Sequence, residues 1–267
     1  MLNKIKILLK SSKPVVWLYY GLYAFWRKKY LNRERRIYIQ NKKLFENKSG
    51  IEIGGPSPVF TKVGPVPFYE IISHLDNINH SDKTVWSSID KGDNFEFNKK
   101  KQNGKQIIAD AIDLTAISSD SYDFMLSSHV IEHVANPIKA LYEWKRIIKS
   151  EGYLAILVPN RKQTFDWKRP LTQFKHIIDD YKNNIKEDDS THFEEIIKLH
   201  DISIDGNVDS YDDHVNRTLN NKNIKVAHHH TFDMDLLIEL LKYCDFEVID
   251  SQIFKPYHLM VIVQKHN

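Results

Sequence analysis

The chain has 267 residues, 42% of them hydrophobic and 27% charged, which suits one large domain with insertions or a domain with an appendage and excludes wholesale disorder. A single cysteine, Cys244, excludes an intramolecular disulfide and fits a reducing, cytoplasmic setting. The net charge of +3 hides an asymmetry: residues 1 to 43 hold twelve Lys or Arg against the single acid Glu34, a local +11, which leaves −8 on the rest.

Within this basic arm, PVVWLYYGLYAFW (14 to 26) carries no charge. It is too short to span a bilayer, which takes about 20 apolar residues. Arg27, Lys28 and Lys29 follow it where a signal peptide would have small residues. An aromatic run between cations reads as a helix at the inner face of a membrane or on a partner, or as one docked on the protein's own core. No nucleic-acid module accompanies these cations, so nucleic acid is not an expected partner.

The next apolar run, GIEIGGPSPVF (50 to 60), predicts a buried strand that ends in a tight loop at Gly54-Gly55. Further strands are expected in KQIIADAIDL (105 to 114), SYDFMLSSHV (121 to 130) and GYLAILVPN (152 to 160). Between the last two, IEHVANPIKALYEWKRIIKS places Val134, Ile138, Leu141, Trp144, Ile147 and Ile148 at helical spacing, with Glu151-Gly152 closing the helix. Residues 161 to 230 are polar and rich in His and Asp, and read as an insertion or lid. A helix over 233 to 244 and two strands, the last HLMVIVQK, then complete the sheet with an antiparallel finish. This alternation predicts an α/β fold with a doubly wound, mostly parallel sheet, divided as a basic helical arm (1–45) and a main domain (46–267). Oligomeric state is left open.

Ligands of such sheets bind beyond the carboxyl ends of the strands. That rule selects Gly54-Gly55-Pro56, Asn79 after HLDNIN, Asp110-Ala111, and the stretch SSHVIEHV (127 to 134). Glu52 offers a carboxylate for an ammonium group. There is no three-glycine dinucleotide fingerprint and no phosphate-loop lysine. His129 and His133 lie four apart, on one face if the stretch is helical, with Glu132 beside them. They form an acid/base pair, a metal site or an ordinary helix start. The insertion gathers Asp166, Arg169, His176, Asp179, Asp180, His192, Glu195, His200, Asp201, His214 and the run His228-His229-His230. These suit a substrate-binding lid, a divalent-ion site or solvated surface; no HxxxH pair is present, and no residue is assigned to a metal. In a strand, His228 and His230 would share a face that His229 opposes.

In order along the chain, IEIGGPS, DAIDL, SYDF, HVIEHV and EWKRIIKSEGYLAILVP resemble the motif series of class I S-adenosylmethionine-dependent methyltransferases of the type 11-like group. The likeness covers about residues 50 to 160. GIEIGGPSP, TVW and TFDWKRPLTQFKHIIDDY further resemble a branch associated with glycan and surface-polysaccharide biosynthesis. The resemblance implies a Rossmann-like domain with S-adenosylmethionine as cofactor, held by Glu52, Gly54 and Gly55 at its methionine part, Asn79 at the ribose, Asp110 and Ala111 at the adenine, and Ser127. Pro56 and Ser57 stand where further glycine is typical, and Asn79 where an acid is. His129, Glu132 and His133 are similar to the E-x-x-E-H arrangement of metal-assisted quinone-biosynthesis O-methyltransferases, with His129 in place of the first acid.

The expected activity is methyl transfer to a hydroxyl of a sugar or glycan acceptor. His133 or His129 would act as base, and Asp166, Arg169, His176, His200 and His229 would hold the acceptor. The alternative is a non-catalytic scaffold of a glycan-assembly complex. The expected location is cytoplasmic, peripheral to the inner face of the membrane through residues 1–43.

Overall fold

The structure is a computed structural model and describes residues 33–82 and 92–266. The aromatic run at 14 to 26 and its predicted membrane or partner contact lie outside the described residues. No helix among the described residues is long and apolar enough to cross a membrane.

Eight strands form one sheet: β1 (Ser49–Ile53), β2 (His74–Asn79), β3 (Gly92–Phe95), β4 (Gly104–Ile108), β5 (Tyr122–Ser128), β6 (Ile148–Pro159), β7 (Phe246–Phe254) and β8 (His258–Lys265). Their order is β3-β4-β2-β1-β5-β6-β8-β7. The five strands from β4 to β6 are parallel, β8 runs antiparallel between β6 and β7, and β3 is an antiparallel edge. The chain therefore steps outward from β1 through β2 to β4, then returns to β5 on the other side. This is the doubly wound pattern, and its switch point lies between β1 and β5.

Side-chain alternation explains how the sheet divides its core. Ile51, Ile53 and Met125 face one layer, packed under helices α2 (Pro137–Ile147) and α7 (Met234–Tyr243) through Leu141, Trp144, Leu237 and Leu240. Phe124, Leu126, Leu157 and Ile262 face the other, covered by Phe45, Phe60, Phe68 and Ile72. Between β1 and β2 that cover consists of two short 3-10 turns, Pro58–Phe60 and Phe68–Glu70, with no α-helix.

The predicted helix over 131 to 150 is shorter. Ile131–His133 forms a 3-10 turn, and α2 starts only at Pro137, where the Asn136 side chain accepts from the Lys139 amide at 3.1 Å. A proline at the first helical position and an Asn cap before it fix that start. His129 and His133 consequently do not share a helix face.

The end of the predicted arm belongs to the body. Helix α1 (Arg36–Asn41) buries Ile37 completely, and Arg36 and Asn41 reach Asp250 on β7 at 3.0 and 2.7 Å. The insertion after β6 folds into α3 (Phe174–Lys182), α4 (Phe193–Leu199), α5 (Tyr211–Leu219) and the single turn α6 (Asn221–Ile224), ahead of α7.

Candidate active site

A cavity of about 1040 Å³ opens beyond the carboxyl ends of β1, β2, β4 and β5, at the switch point. Its size is at the upper end for small-molecule sites, roughly 300–1000 Å³, so it has room for a cofactor and an acceptor together. One wall consists of Gly54, Gly55, Asn79, His80, Asp110 and Ala111; the other includes Ser128, His129, Glu132, His133, His228 and His258.

The glycine loop is clamped from behind. Gly55 N–H donates to Asn77 Oδ1 at 2.9 Å, and its carbonyl accepts from Asn77 and Asn79 at 3.0 and 3.1 Å. Gly54 adopts φ +82°, and a Cβ there would come within 2.6 Å of Val130. Only glycine allows this backbone to line the cavity. Asn79 does reach the cavity, but it spends its amide on the loop.

Two predicted cofactor contacts are corrected. Glu52 is fully buried and outside the cavity lining, because alternation turns it away from the layer of Ile51 and Ile53. It sits beneath the loop, where a Cβ on Gly55 would meet its Cδ at 2.5 Å, and it accepts from the Tyr69 hydroxyl at 2.5 Å. Burial, offset in part by Ser57 and Tyr69, pushes its carboxyl up to about 7. Ser127 is likewise fully buried, held in the sheet between Ile53 and Ile156, and Ser128 lines the cavity instead.

The other predicted cofactor contacts, Gly54, Gly55, Asn79, Asp110 and Ala111, line the cavity. Asp110 accepts from the Ile112 amide at 3.2 Å and pairs with Lys225 at 2.9 Å, and Lys225 also pairs with Glu187 at 2.7 Å. Ala111 is held by Trp144, whose Nε1 donates to its carbonyl at 2.9 Å. His80 Nε2 is a buried atom on this wall without a hydrogen-bond partner among the described residues, available to a ligand. A φ-positive glycine cradle and an orphaned buried donor/acceptor on one wall are what a polar nucleoside cofactor requires.

The opposite wall holds the acid/base groups. His129 has φ +56°, a conformation uncommon outside glycine and associated with functional sites. It lies at the end of β5, with its amide bonded to Leu157 O at 2.9 Å. Its Nε2 is 2.9 Å from His258 Nδ1, and its Nδ1 is 3.4 Å from Glu132 Oε1. Glu132 is fully buried; burial would raise its carboxyl, but His129, His133 and His228 outweigh that and hold it below its ordinary value. His133 is pushed down to about 4 by burial and then by His228, so it is neutral at pH 7. Its Nδ1 donates to Ala227 O at 3.2 Å, which leaves the lone pair on Nε2. For His258, burial and then His129 lower the value to about 4. His228 runs the other way: Asp166, 2.5 Å away, overcomes burial and raises it.

None of the five predicted acceptor contacts lines the cavity. Asp166 and Arg169 are 2% and 1% exposed and neutralise each other at 3.0 Å, with Arg169 also holding Glu195 and the His228 carbonyl at 2.8 Å. His200 pairs with Asp205 at 3.0 Å and stacks on Phe165. His229 is buried against Asn221 at 3.2 Å. His176 turns to His192 and Asp180. Asp166, Arg169 and His200 are thus neutralised inside the fold, since a buried charge is stable only when paired. The insertion presents Thr164, Phe165, Asp205, Asn207, Arg217 and Lys225 to the cavity instead. His228 and His230 do not share a face either: the segment is not a strand, and the two side chains enter different clusters.

Residues 87–156 match the family described as Methyltransferase domain. That stretch carries Asp110-Ala111, the SSHVIEHV segment and α2. No curated protein matches the sequence significantly. Among solved structures, the chain is similar to a SAM-dependent methyltransferase from Aquifex aeolicus, with 11% identity, 88% of this chain and 92% of that chain covered, and a TM-score of 0.47. It is similar to SAM-dependent methyltransferases from Methanosarcina mazei, with 15% identity, 85% and 97% covered and a TM-score of 0.48. It is also similar to the 1,6-didemethyltoxoflavin-N1-methyltransferase of Burkholderia thailandensis, with 12% identity, 99% and 90% covered and a TM-score of 0.48. Residues 87–156 thus carry the likeness to a methyltransferase domain, and they form part of the sheet whose switch point opens this cavity.

Proposed function

We propose that the chain is an S-adenosylmethionine-dependent methyltransferase that methylates a hydroxyl of a sugar or glycan intermediate, with His129 or His133 taking the hydroxyl proton. The observation that carries this reading is the presence of His129, Glu132 and His133 in the same cavity as the Gly54-Gly55, Asn79 and Asp110-Ala111 loops. The cofactor supplies a methyl group bound to a sulfonium, which needs no further activation. The chain's own task is to align an oxygen with it and remove a proton as the O–C bond forms and the S–C bond breaks. His133 is neutral and can take up the proton, and Glu132 stabilises the imidazolium that results, as the carboxylate of a catalytic triad does. His129, between Glu132 and His258, is the second base in reach. The acceptor wall mixes Phe165 and Tyr257 with Asp205, Asn207 and Arg217, a suitable lining for a ring that is apolar on its faces and hydroxylated at its rim.

The test incubates the protein with methyl-labelled S-adenosylmethionine and a panel of nucleotide sugars and glycans, read by mass spectrometry. His129→Ala and His133→Ala together should lower turnover by about 10²–10⁴, while calorimetry shows unchanged binding of the demethylated cofactor. Label found on an amine or carbon overturns the hydroxyl assignment. Cofactor binding without transfer to any glycan favours the scaffold reading. Attachment to the inner face of a membrane is part of the proposal; liposome binding that survives deletion of residues 1 to 32 overturns it.

A further inference from the structure

A second group of metal-type ligands lies outside the cavity. His176 and Asp180 are one turn apart on α3, His192 is the residue before α4, and His230 lies in the segment leading to α7. Their ligand atoms all lie within 4.8 Å of one another. His176 Nε2 is 3.0 Å from His192 Nε2 and 3.4 Å from Asp180 Oδ2, and His230 Nε2 is 3.0 Å from the same Asp180 oxygen. A tetrahedral zinc with bonds of about 2.0–2.2 Å needs ligand atoms about 3.3–3.6 Å apart, so small rotations bring these four onto its corners.

The hydrogen bonds in the cluster point the same way. His230 Nδ1 donates to the Val134 carbonyl at 3.2 Å. In the neutral ring this leaves the Nε2 lone pair aimed at a carboxylate oxygen, lone pair against lone pair. His176 and His192 also face each other through their Nε2 atoms at hydrogen-bond distance. A cation between the four removes the conflict at His230, and the Val134 contact is the outer-shell bond that fixes a ligating histidine's tautomer.

The geometry points to a divalent metal site of the zinc class formed by His176, Asp180, His192 and His230. Four protein ligands make it a closed, structural site, and none of the four lines the cavity. Its effect is to join α3, the start of α4 and the segment at 228–230. His228 of that segment lines the cavity, and Val134 follows His133. The ion would hold the insertion against the acid/base wall. His176, 40% exposed at its side chain, leaves a route for the ion.

The test uses the untagged full chain. Elemental analysis after expression with added zinc should give about one zinc per chain, and cobalt loaded in its place should give the absorption bands of a tetrahedral ion. His176→Ala and His192→Ala should each weaken zinc binding, measured by competition with a chromophoric chelator, by more than about 100-fold, beyond the loss of an outer-shell partner. Retained binding of the demethylated cofactor shows that these variants are folded. Substoichiometric zinc in wild-type protein saturated with the ion overturns the proposal. So does zinc retained by the His176→Ala, His192→Ala double variant. Loss of zinc only on Glu132→Gln with His228→Ala overturns it as well, by moving the ion to the cavity. Because zinc content is read independently of methyl transfer, failure here is distinguishable from failure of the proposed activity.

Discussion

Glu52 makes the stability of this protein depend on pH in a direction that can be isolated. Its carboxyl is raised from 4.5 to about 7 by burial under the Gly55 loop, which corresponds to about 3 kcal/mol between folded and unfolded states. The folded state keeps the proton that the unfolded chain releases. The contribution is therefore complete below pH 4.5, declines as pH rises, and is lost above 7. His133, His192 and His258, each lowered to about 4, act in the opposite sense, since the unfolded chain protonates them first as pH falls. A wild-type profile alone mixes these effects, but Glu52→Gln removes one of them while keeping an oxygen for the Tyr69 hydroxyl. Urea unfolding of both proteins at pH 5 and pH 8 should show the variant gaining about 2–3 kcal/mol relative to wild type between the two. A relative change below about 0.5 kcal/mol would refute the assignment of a buried, proton-holding Glu52.

Gly55→Ala, with its Cβ 2.5 Å from Glu52 and 2.7 Å from Asn77 Oδ1, should cost about 1–3 kcal/mol by overpacking and weaken binding of the demethylated cofactor; calorimetry and thermal melting check both. Trp144→Phe removes the bond to the Ala111 carbonyl and should cost about 1 kcal/mol with a few-fold loss of cofactor affinity, and unchanged affinity would dissociate α2 from the adenine side. Arg169→Met breaks the buried pair with Asp166 and should destabilise by about 3 kcal/mol. It should also lower turnover more than cofactor binding, because Arg169 fixes the carbonyls at 228 and 229.

Local sequence places the predicted cofactor loops at the cavity. Gly54, Gly55, Asn79, Asp110 and Ala111 end strands of a parallel sheet, and every such end points to the same side, so strand order alone brings them to the cavity. Within those strands, alternation decides what reaches a ligand. Glu52 and Ser127 precede the strand ends by one residue and are covered, while Gly54 and Ser128 are not. Strand periodicity contains that signal at β1, since Ile51 and Ile53 already mark the opposite face.

The acceptor half is less legible, because charge and histidine content cannot tell a ligand-facing group from one neutralised inside the fold. Asp166, Arg169, His200 and His229 look alike in sequence to Asp205, Arg217 and His228, and only packing separates the set covered inside the fold from the set that lines the cavity. The pair His176 and Asp180 has the spacing of a ligand pair on a helix, but a search for two histidines four apart passes over it. Its third and fourth members lie 16 and 54 positions from His176, beyond any local pattern.

By itself, the sequence determined the sheet type, the strand-end loops that line the cavity and the position of α2, since hydrophobic period, caps and glycines act over a few residues. Tertiary structure decided which histidines meet. The antiparallel β8 returns His258 opposite Pro159, beside His129, and the insertion folds back so that His228 reaches His133 while His230 reaches Asp180. Those contacts span 50 to 129 residues, and they form because buried charges and imidazoles must find partners wherever the chain's folding brings them.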